Sequence, residues 1–519
     1  MNDNKLLLNS LVDEKMDDLI TDLQVLIRQP SISATNHGLK DCAFLLSNMM
    51  NKAGIKTELL YLQEKDLDKD ETGICSLDFE STDSSCSISP LSSSSSNASD
   101  RPPQLSSVNP RPTNIQHHIL NPYHPPPLVF GEVKSKSNPN GKTILFYNHY
   151  DVQPIDPIEN WNDDPFSGKI EGNVIFGRGS CDDKGELITR LKAVEFFLKH
   201  TGDVPCNIKF VIEGEEEIGS PNLHRYLAKY KERFLSDIVI WESGYVDNKG
   251  RSIISLGQKG IMNVELKMLG PCRDVHSSLA VVIENPAWKL IRALSLLTDK
   301  EGKILIEGWY DEVKPINDNE LKLIADEPFE ESAFKSEYGI EGFLNGYSGI
   351  EVKKSLAIDP TCNINGLFSG YTEEGVKTII PSFAIAKIDF RLVPYMDPKF
   401  QFNKLVRYLR SKGYSEEELK ISFVSGEAAY RTPMENKYVN IVVDAAKKVF
   451  NDVILNISSP GTGPVYVFKK ILGVDSICIG NTILPNKMHS PNEFTNIDLL
   501  NKGTKCFIEI IKDIAKYTR

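Results

Sequence analysis

The sequence predicts an α/β fold, with a mostly parallel sheet flanked by helices and more than one domain. Three observations predict it. The chain has 519 residues, too many for one hydrophobic core, so two domains are expected. Strand-like apolar runs alternate with helical patterns, the signature of parallel strands joined through helices. Successive apolar runs stop at a histidine or a carboxylate, and in an open α/β sheet the carboxyl ends of the strands line the ligand crevice.

The elements follow in order. The opening MNDNKLLLNSLVDEKMDDLI carries acids through its apolar positions and lacks the basic-then-apolar layout of a secretory leader. KTELLYLQ and PPLVFGEV read as strands on either side of residues 66–127, a stretch rich in Ser, Pro, Asp and Asn without periodicity. This stretch is expected to be a disordered insertion, because closing the domain across it costs little entropy. His117, His118 and His124 inside it have no cysteine or acidic partner at ligand spacing and read as solvated loop residues. The strand KTILFYN then leads into NHYDVQP, and period-two geometry puts His149 and Asp151 on one side. Asp182 and Asp183 sit in a loop entering a helix whose Leu187, Leu191, Val194 and Leu198 make one apolar face. IKFVI runs into Glu213, Glu215, Glu216 and Glu217, SDIVIW ends at Glu242, and GVDSICIG is followed by His489 in KMHSPNE.

Composition narrows the function. With 59 basic and 71 acidic residues the net charge is -12, which argues against a nucleic-acid partner. No apolar run reaches the roughly twenty residues a membrane helix needs. Nine scattered cysteines, none in a CxxC pair, fit free thiols in a reducing compartment, so a cytoplasmic protein is expected. One strand-end histidine is commonly structural, and a run such as EGEEE is commonly a solvated face. Their recurrence, strand after strand, is what a solvated surface does not require. So many carboxylates gathered without a cation would repel one another and raise their own pKa values. Mixed imidazole and carboxylate donors suit Zn, with Mn or Co as alternatives, whereas Mg or Ca call for all-oxygen sets. The Gly-rich GTGPVYVF lacks the lysine and spacing of a phosphate loop.

In this order HYDVQP, W followed by DPF, GRGSCDDKG, EGEEEIGS, DVHSS, FRLVP and MHSPNE resemble the dinuclear zinc metallopeptidases that include carnosinase, cytosolic nonspecific dipeptidase, aminoacylase and glutamate carboxypeptidase. The likeness covers nearly the whole chain outside the insertion and is nearest to the dipeptidase branch. It implies a catalytic domain of residues 1–257 and 425–519, interrupted by an α/β lid and dimerisation domain of residues 258–424. Asp182 is implied as the bridge between two divalent ions, with His149 and Glu242 on one and Glu217 and His489 on the other. Asp151 is implied as the partner of His149, and Glu216 as the general base. The Asp182–Asp183 peptide is expected to be cis. His276, acting in a partner subunit's site, is implied to stabilise the oxyanion, while Thr378, Arg391 and Thr462 hold the substrate's carboxylate end. The implied activity is hydrolysis of dipeptides or other short peptides by a homodimer. Glu242 departs from the Asp usual in the dipeptidase branch and keeps an N-acyl amino acid deacylase or carboxypeptidase open. A third alternative is a non-catalytic binding paralogue.

Overall fold

The computed structural model describes residues 2–67, 124–242, 244–483 and 487–517. Of the expected insertion, residues 68–123, with His117 and His118, lie outside the described residues, while His124 is exposed.

In chain order the principal strands are β1 (Lys56–Leu60), β2 (Leu128–Val133), β3 (Thr143–His149), β4 (Asn207–Glu213), β5 (Ile238–Trp241), β6 (Tyr245–Val246), β7 (Ser252–Ser255), β8 (Gly260–Leu269), β9 (Thr361–Ser369), β10 (Phe383–Leu392), β11 (Leu419–Glu427), β12 (Val453–Asn456), β13 (Ser476–Cys478) and β14 (Thr482–Ile483). Ten of them form one sheet, in the order β1-β2-β4-β3-β5-β13-β7-β6-β14 with β12 beside β7. The centre of this sheet, β4-β3-β5-β13, is parallel. Its flanks are mixed: β1 with β2, β2 with β4, β13 with β7 and β7 with β6 pair antiparallel, while β12 with β7 and β14 with β6 pair parallel. The predicted α/β sheet is therefore mixed, with an unbroken parallel run of four strands at its centre.

Burial explains that arrangement. β3 and β5 are buried on both faces and are apolar almost throughout, as covered parallel strands must be. The helix Met16–Arg28 packs on the helix Lys184–Thr201 and adds Leu19, Leu23, Leu26 and Ile27 to the core on one face of this sheet, and its Asp17, Asp18 and Arg28 complement the helix dipole at both ends. The helix Ile497–Lys516 adds Leu500, Phe507, Ile508 and Ile511 to the same core, and the Asn496 side chain caps it by accepting from Leu499 N. The helix Lys184–Thr201 departs from the expected single apolar face. It is buried from Lys184 to Phe197, polar residues included, whereas Leu198 is only half-buried.

β8 to β11 form a second, wholly antiparallel sheet in the order β9-β10-β8-β11. Along β8 buried and half-buried residues alternate until the last, the period of a sheet with one covered face. Its core of Met262, Leu266, Trp309, Phe390 and Leu405 is separate from that of the large sheet. The chain passes between the sheets through a short pairing of Gly257–Gln258 with Tyr430–Arg431.

Candidate metal centre

The parallel strands deliver their carboxyl ends to one place. β3 ends at His149, β4 at Glu213 just before Glu215 to Glu217, and β5 at Trp241 just before Glu242. One buried side chain holds the ends of β3 and β5 together with that of β13. Arg190 is fully buried and makes five hydrogen bonds, to the carbonyls of Tyr147, Ile240, Trp241 and Ile479 and to Asn148 Oδ1. The carbonyls of strand ends need partners when water is excluded, and a guanidinium supplies several donors at once. Periodicity pointed only to the apolar neighbours of Arg190.

Around these ends the expected ligands meet. His149 Nε2 lies 3.0 Å from Asp182 Oδ1, and His489 Nε2 lies 2.9 Å from Asp182 Oδ2. Each oxygen of Asp182 therefore faces a different histidine. His489 Nε2 is also 3.2 Å from Glu217 Oε2, which accepts a hydrogen bond from Gln153 Nε2 at 2.8 Å. On the far side of the His149 ring, Nδ1 is 3.3 Å from Asp151 Oδ1 and 3.1 Å from the Asp151 carbonyl. Asp151 also accepts from the main-chain N–H groups of Glu216 at 3.2 Å and Glu217 at 3.0 Å, so it holds the acidic loop as well as the imidazole. The peptide between Asp182 and Asp183 is cis.

Among the described residues two groups have donor atoms within 4.8 Å of one another, His149 with Asp182 and Glu217, and His149 with Asp183 and Glu242. Asp183 in the second group is not among the ligands expected from the motifs. Its Oδ2 accepts from His149 N at 3.0 Å and Asn148 Nδ2 at 2.7 Å, while its Oδ1 is buried with no hydrogen-bond partner. The DD pair in GRGSCDDKG was its only signal.

The electrostatics are those of an anionic cage. Burial, then the charges of Glu242, Glu217 and Asp182, push the Glu216 carboxyl well above its usual range against the opposing pull of His149. Glu217 is raised to about 7 by burial and by Asp182, although His489 draws it down. Burial would raise Asp182 too, yet the hydrogen bonds from His149 and His489 hold it below its usual value. His489 is itself raised to about 10 by Asp182 and Glu217. Paired histidines and mutually repelling carboxylates, one with an orphaned buried oxygen, fit a divalent cation, whose binding displaces protons from such donors.

The remaining predicted residues form two further groups. His276 and Thr378 lie together: Val275–His276 pairs with Ile379–Ile380, and Ser277 N donates to the Thr378 carbonyl at 3.1 Å. Both are exposed, and the His276 ring bonds to Ser278. Arg391 and Thr462 are joined by an Nη1–Oγ1 hydrogen bond of 2.7 Å, and Thr462 donates to the Lys259 carbonyl.

Residues 145–513 match peptidase family M20/M25/M40. The chain belongs to that family. The match spans every proposed ligand, and membership makes the protein a hydrolase of peptide bonds. It is 30% identical over 403 residues to human Beta-Ala-His dipeptidase, covering 75% of this chain and 78% of that one. It is 28% identical over 411 residues to the Cys-Gly metallodipeptidase DUG1 of Candida albicans, covering 78% and 84%. Among solved structures it resembles the M20 family metallo-carboxypeptidase Sso-CP2 from Sulfolobus solfataricus, with a TM-score of 0.79, 32% identity and coverage of 96% and 99%. Human carnosine dipeptidase 1, at 23% identity and a TM-score of 0.73 over 98% and 99% of the chains, shares the fold. No helix among the described residues is long and apolar enough to cross a membrane.

Proposed function

We propose that the protein is a dipeptidase that works with two divalent ions, zinc foremost and manganese or cobalt as alternatives. The observation that carries this reading is Asp182, whose two oxygens face His149 and His489 separately. Asp182 would bridge the ions, with His149 and Glu242 holding one and Glu217 and His489 the other. When bound, two such ions polarise the scissile carbonyl and lower the pKa of the attacking water. Glu216 would take a proton from the attacking water and pass it to the leaving amine. Its elevated affinity for protons, set by burial and by carboxylates of both ligand groups, suits a base that must also act as an acid. Asp151 keeps His149 in one tautomer and orientation. Arg391 and Thr462 offer a fork and a hydroxyl for the substrate's carboxylate terminus.

We read residues 1–257 and 425–519 as the catalytic domain and 258–424 as a lid through which two copies pair, each lending His276 to the other's site, with Thr378 assigned to the substrate's carboxylate end beside Arg391 and Thr462. The separate sheet and core of β8 to β11 support the division. Support for pairing comes from edge strand β9, which exposes Ile364, Leu367 and Phe368, and from Trp288 and Ile291, exposed on the helix Pro286–Leu294. The free thiols Cys42, Cys181, Cys206, Cys272, Cys362, Cys478 and Cys506 support a cytoplasmic setting.

A carboxypeptidase or deacylase is the second reading, favoured by Glu242 and by the likeness to the Sulfolobus metallo-carboxypeptidase. Protein stripped of metal and titrated with Zn or Mn distinguishes them. Recovery on Ala-Ala at two ions per chain supports the dipeptidase, recovery only on N-acetyl-Ala supports the second reading, and silence on both favours a non-catalytic paralogue.

A further inference from the structure

A buried ion pair outside the ligand set joins the segments that carry the ligands. Arg178 Nη1 donates to Glu493 Oε2 at 2.7 Å across 315 residues of sequence. Both side chains are 1% exposed. The same carboxylate accepts the main-chain N–H groups of Gly179 at 3.1 Å, Cys181 at 3.0 Å and Asp182 at 3.2 Å, and the Cys181 thiol at 3.3 Å. Arg178 Nη2 donates to the Pro154 carbonyl at 2.9 Å, and Arg178 N to the Pro165 carbonyl at 2.8 Å. Gly177 N donates to the Glu493 carbonyl at 3.0 Å. One pair thus touches HYDVQP, WNDDPF, GRGSCDD and HSPNE.

A carboxylate that accepts successive main-chain N–H groups fixes the path of the loop presenting them, and a charged acceptor does so with roughly twice the strength of a neutral one. That loop aims Asp182. Glu493 itself lies four residues beyond His489, whose side chain is 52% exposed. We propose that the Glu493–Arg178 pair positions the metal centre: it keeps the Asp182 loop and the His489 loop in one register, so that Asp182 meets both histidines. This inference rests on the metal-centre reading above. Neither residue is a ligand or a catalytic group.

Glu493→Gln tests it. The amide keeps the size of the carboxylate but turns an NH2 group toward Arg178 or toward the loop N–H groups, which are donors themselves. Zinc affinity is measured in the full-length chain by competition with a chromophoric chelator, well below the melting temperature. The control is Lys142→Met, which breaks a half-buried ion pair with Asp237 at the opposite end of β3 from His149. Glu493→Gln is expected to weaken zinc binding about 10- to 100-fold, as changes behind ligands typically do, while the control melts earlier but binds zinc like the wild type. Unchanged affinity in folded Glu493→Gln, or an equal loss in the control, overturns the positioning role. If Glu493→Gln does not fold, Arg178→Lys, which keeps the charge and loses the fork to Pro154, is read by the same measurement with the same two outcomes. A wild-type chain that binds no zinc would overturn the metal centre first and the positioning role with it, and is told apart by that failure.

Discussion

Replacing Arg190 by methionine is expected to destabilise the fold by about 3–5 kcal/mol, the usual cost of removing one partner from a buried charged network. The structure supplies the terms. Methionine keeps most of the aliphatic stem and deletes all five hydrogen bonds, four of them to main-chain carbonyls at the ends of β3, β5 and β13. The Trp241 carbonyl keeps a long bond of 3.4 Å from Ile479 N, so its loss is partial. Each acceptor left unsatisfied costs about 1–3 kcal/mol. Glu186, 3.6 Å from the guanidinium, also loses its countercharge. Relief of the desolvated Arg190 charge offsets part of the total, which leaves the range given. Such a loss is a large share of the 5–15 kcal/mol that typically separates folded from unfolded chains. Urea unfolding followed by circular dichroism, with wild type and variant at equal metal loading, reads it as a lower midpoint at unchanged slope. A shift below about 1 kcal/mol would refute the reasoning, because it would mean these carbonyls find other partners.

Other consequences are open to simpler measurements. Glu216→Gln should bind metal like the wild type and turn over dipeptide about a hundred- to ten-thousand-fold more slowly, read by comparing kcat with ions bound per chain. Asp151→Asn removes the carboxylate beside His149 Nδ1 and should weaken metal binding about 10- to 100-fold in a chelator competition. Burial raises Glu427 from its ordinary value of 4.5 to about 8, with Glu213 adding to the rise. Stability that depends on its protonated form is fully present below about 4.5 and lost as pH climbs to about 8, so Glu427→Gln should flatten the fall in melting temperature across that window. A chelator should abolish peptidase activity and added zinc restore it, and activity that survives chelation would remove the metal from the account.

What the sequence revealed and what it hid follow one physical division. His149, Glu213 and Glu242 were legible because an apolar strand that stops at an ionisable residue breaks its own pattern, and the break survives in one dimension. The helix starting at Lys184 was legible through Leu187 and Leu191. Its buried polar residues were not, because Arg190 and Glu186 owe their burial to strands far away in sequence, and no periodicity encodes that. Asp183 and Glu493 stood inside quoted motifs, yet their work is to accept main-chain N–H groups of other segments, a property of tertiary position. The parallel centre of the sheet was predictable from strand–helix alternation. Its antiparallel pairings were not, since β1 meets β2 only across the 66–127 stretch and β7 meets β13 across the whole of the second sheet's sequence.

The strand order carries a consequence for synthesis. β13, residues 476–478, lies between β5 and β7, which end more than two hundred residues earlier. A nascent chain leaving the ribosome therefore carries a sheet with an empty slot at its middle, and its acidic loops stand beside that gap until His489 and Glu493 emerge. Two open edges facing each other through most of translation invite pairing with the wrong strand or with another chain. Closure waits for contacts between distant parts of the sequence, which makes folding slow. Much of the chain must be kept from aggregating before its last hundred residues supply the strand that completes the sheet.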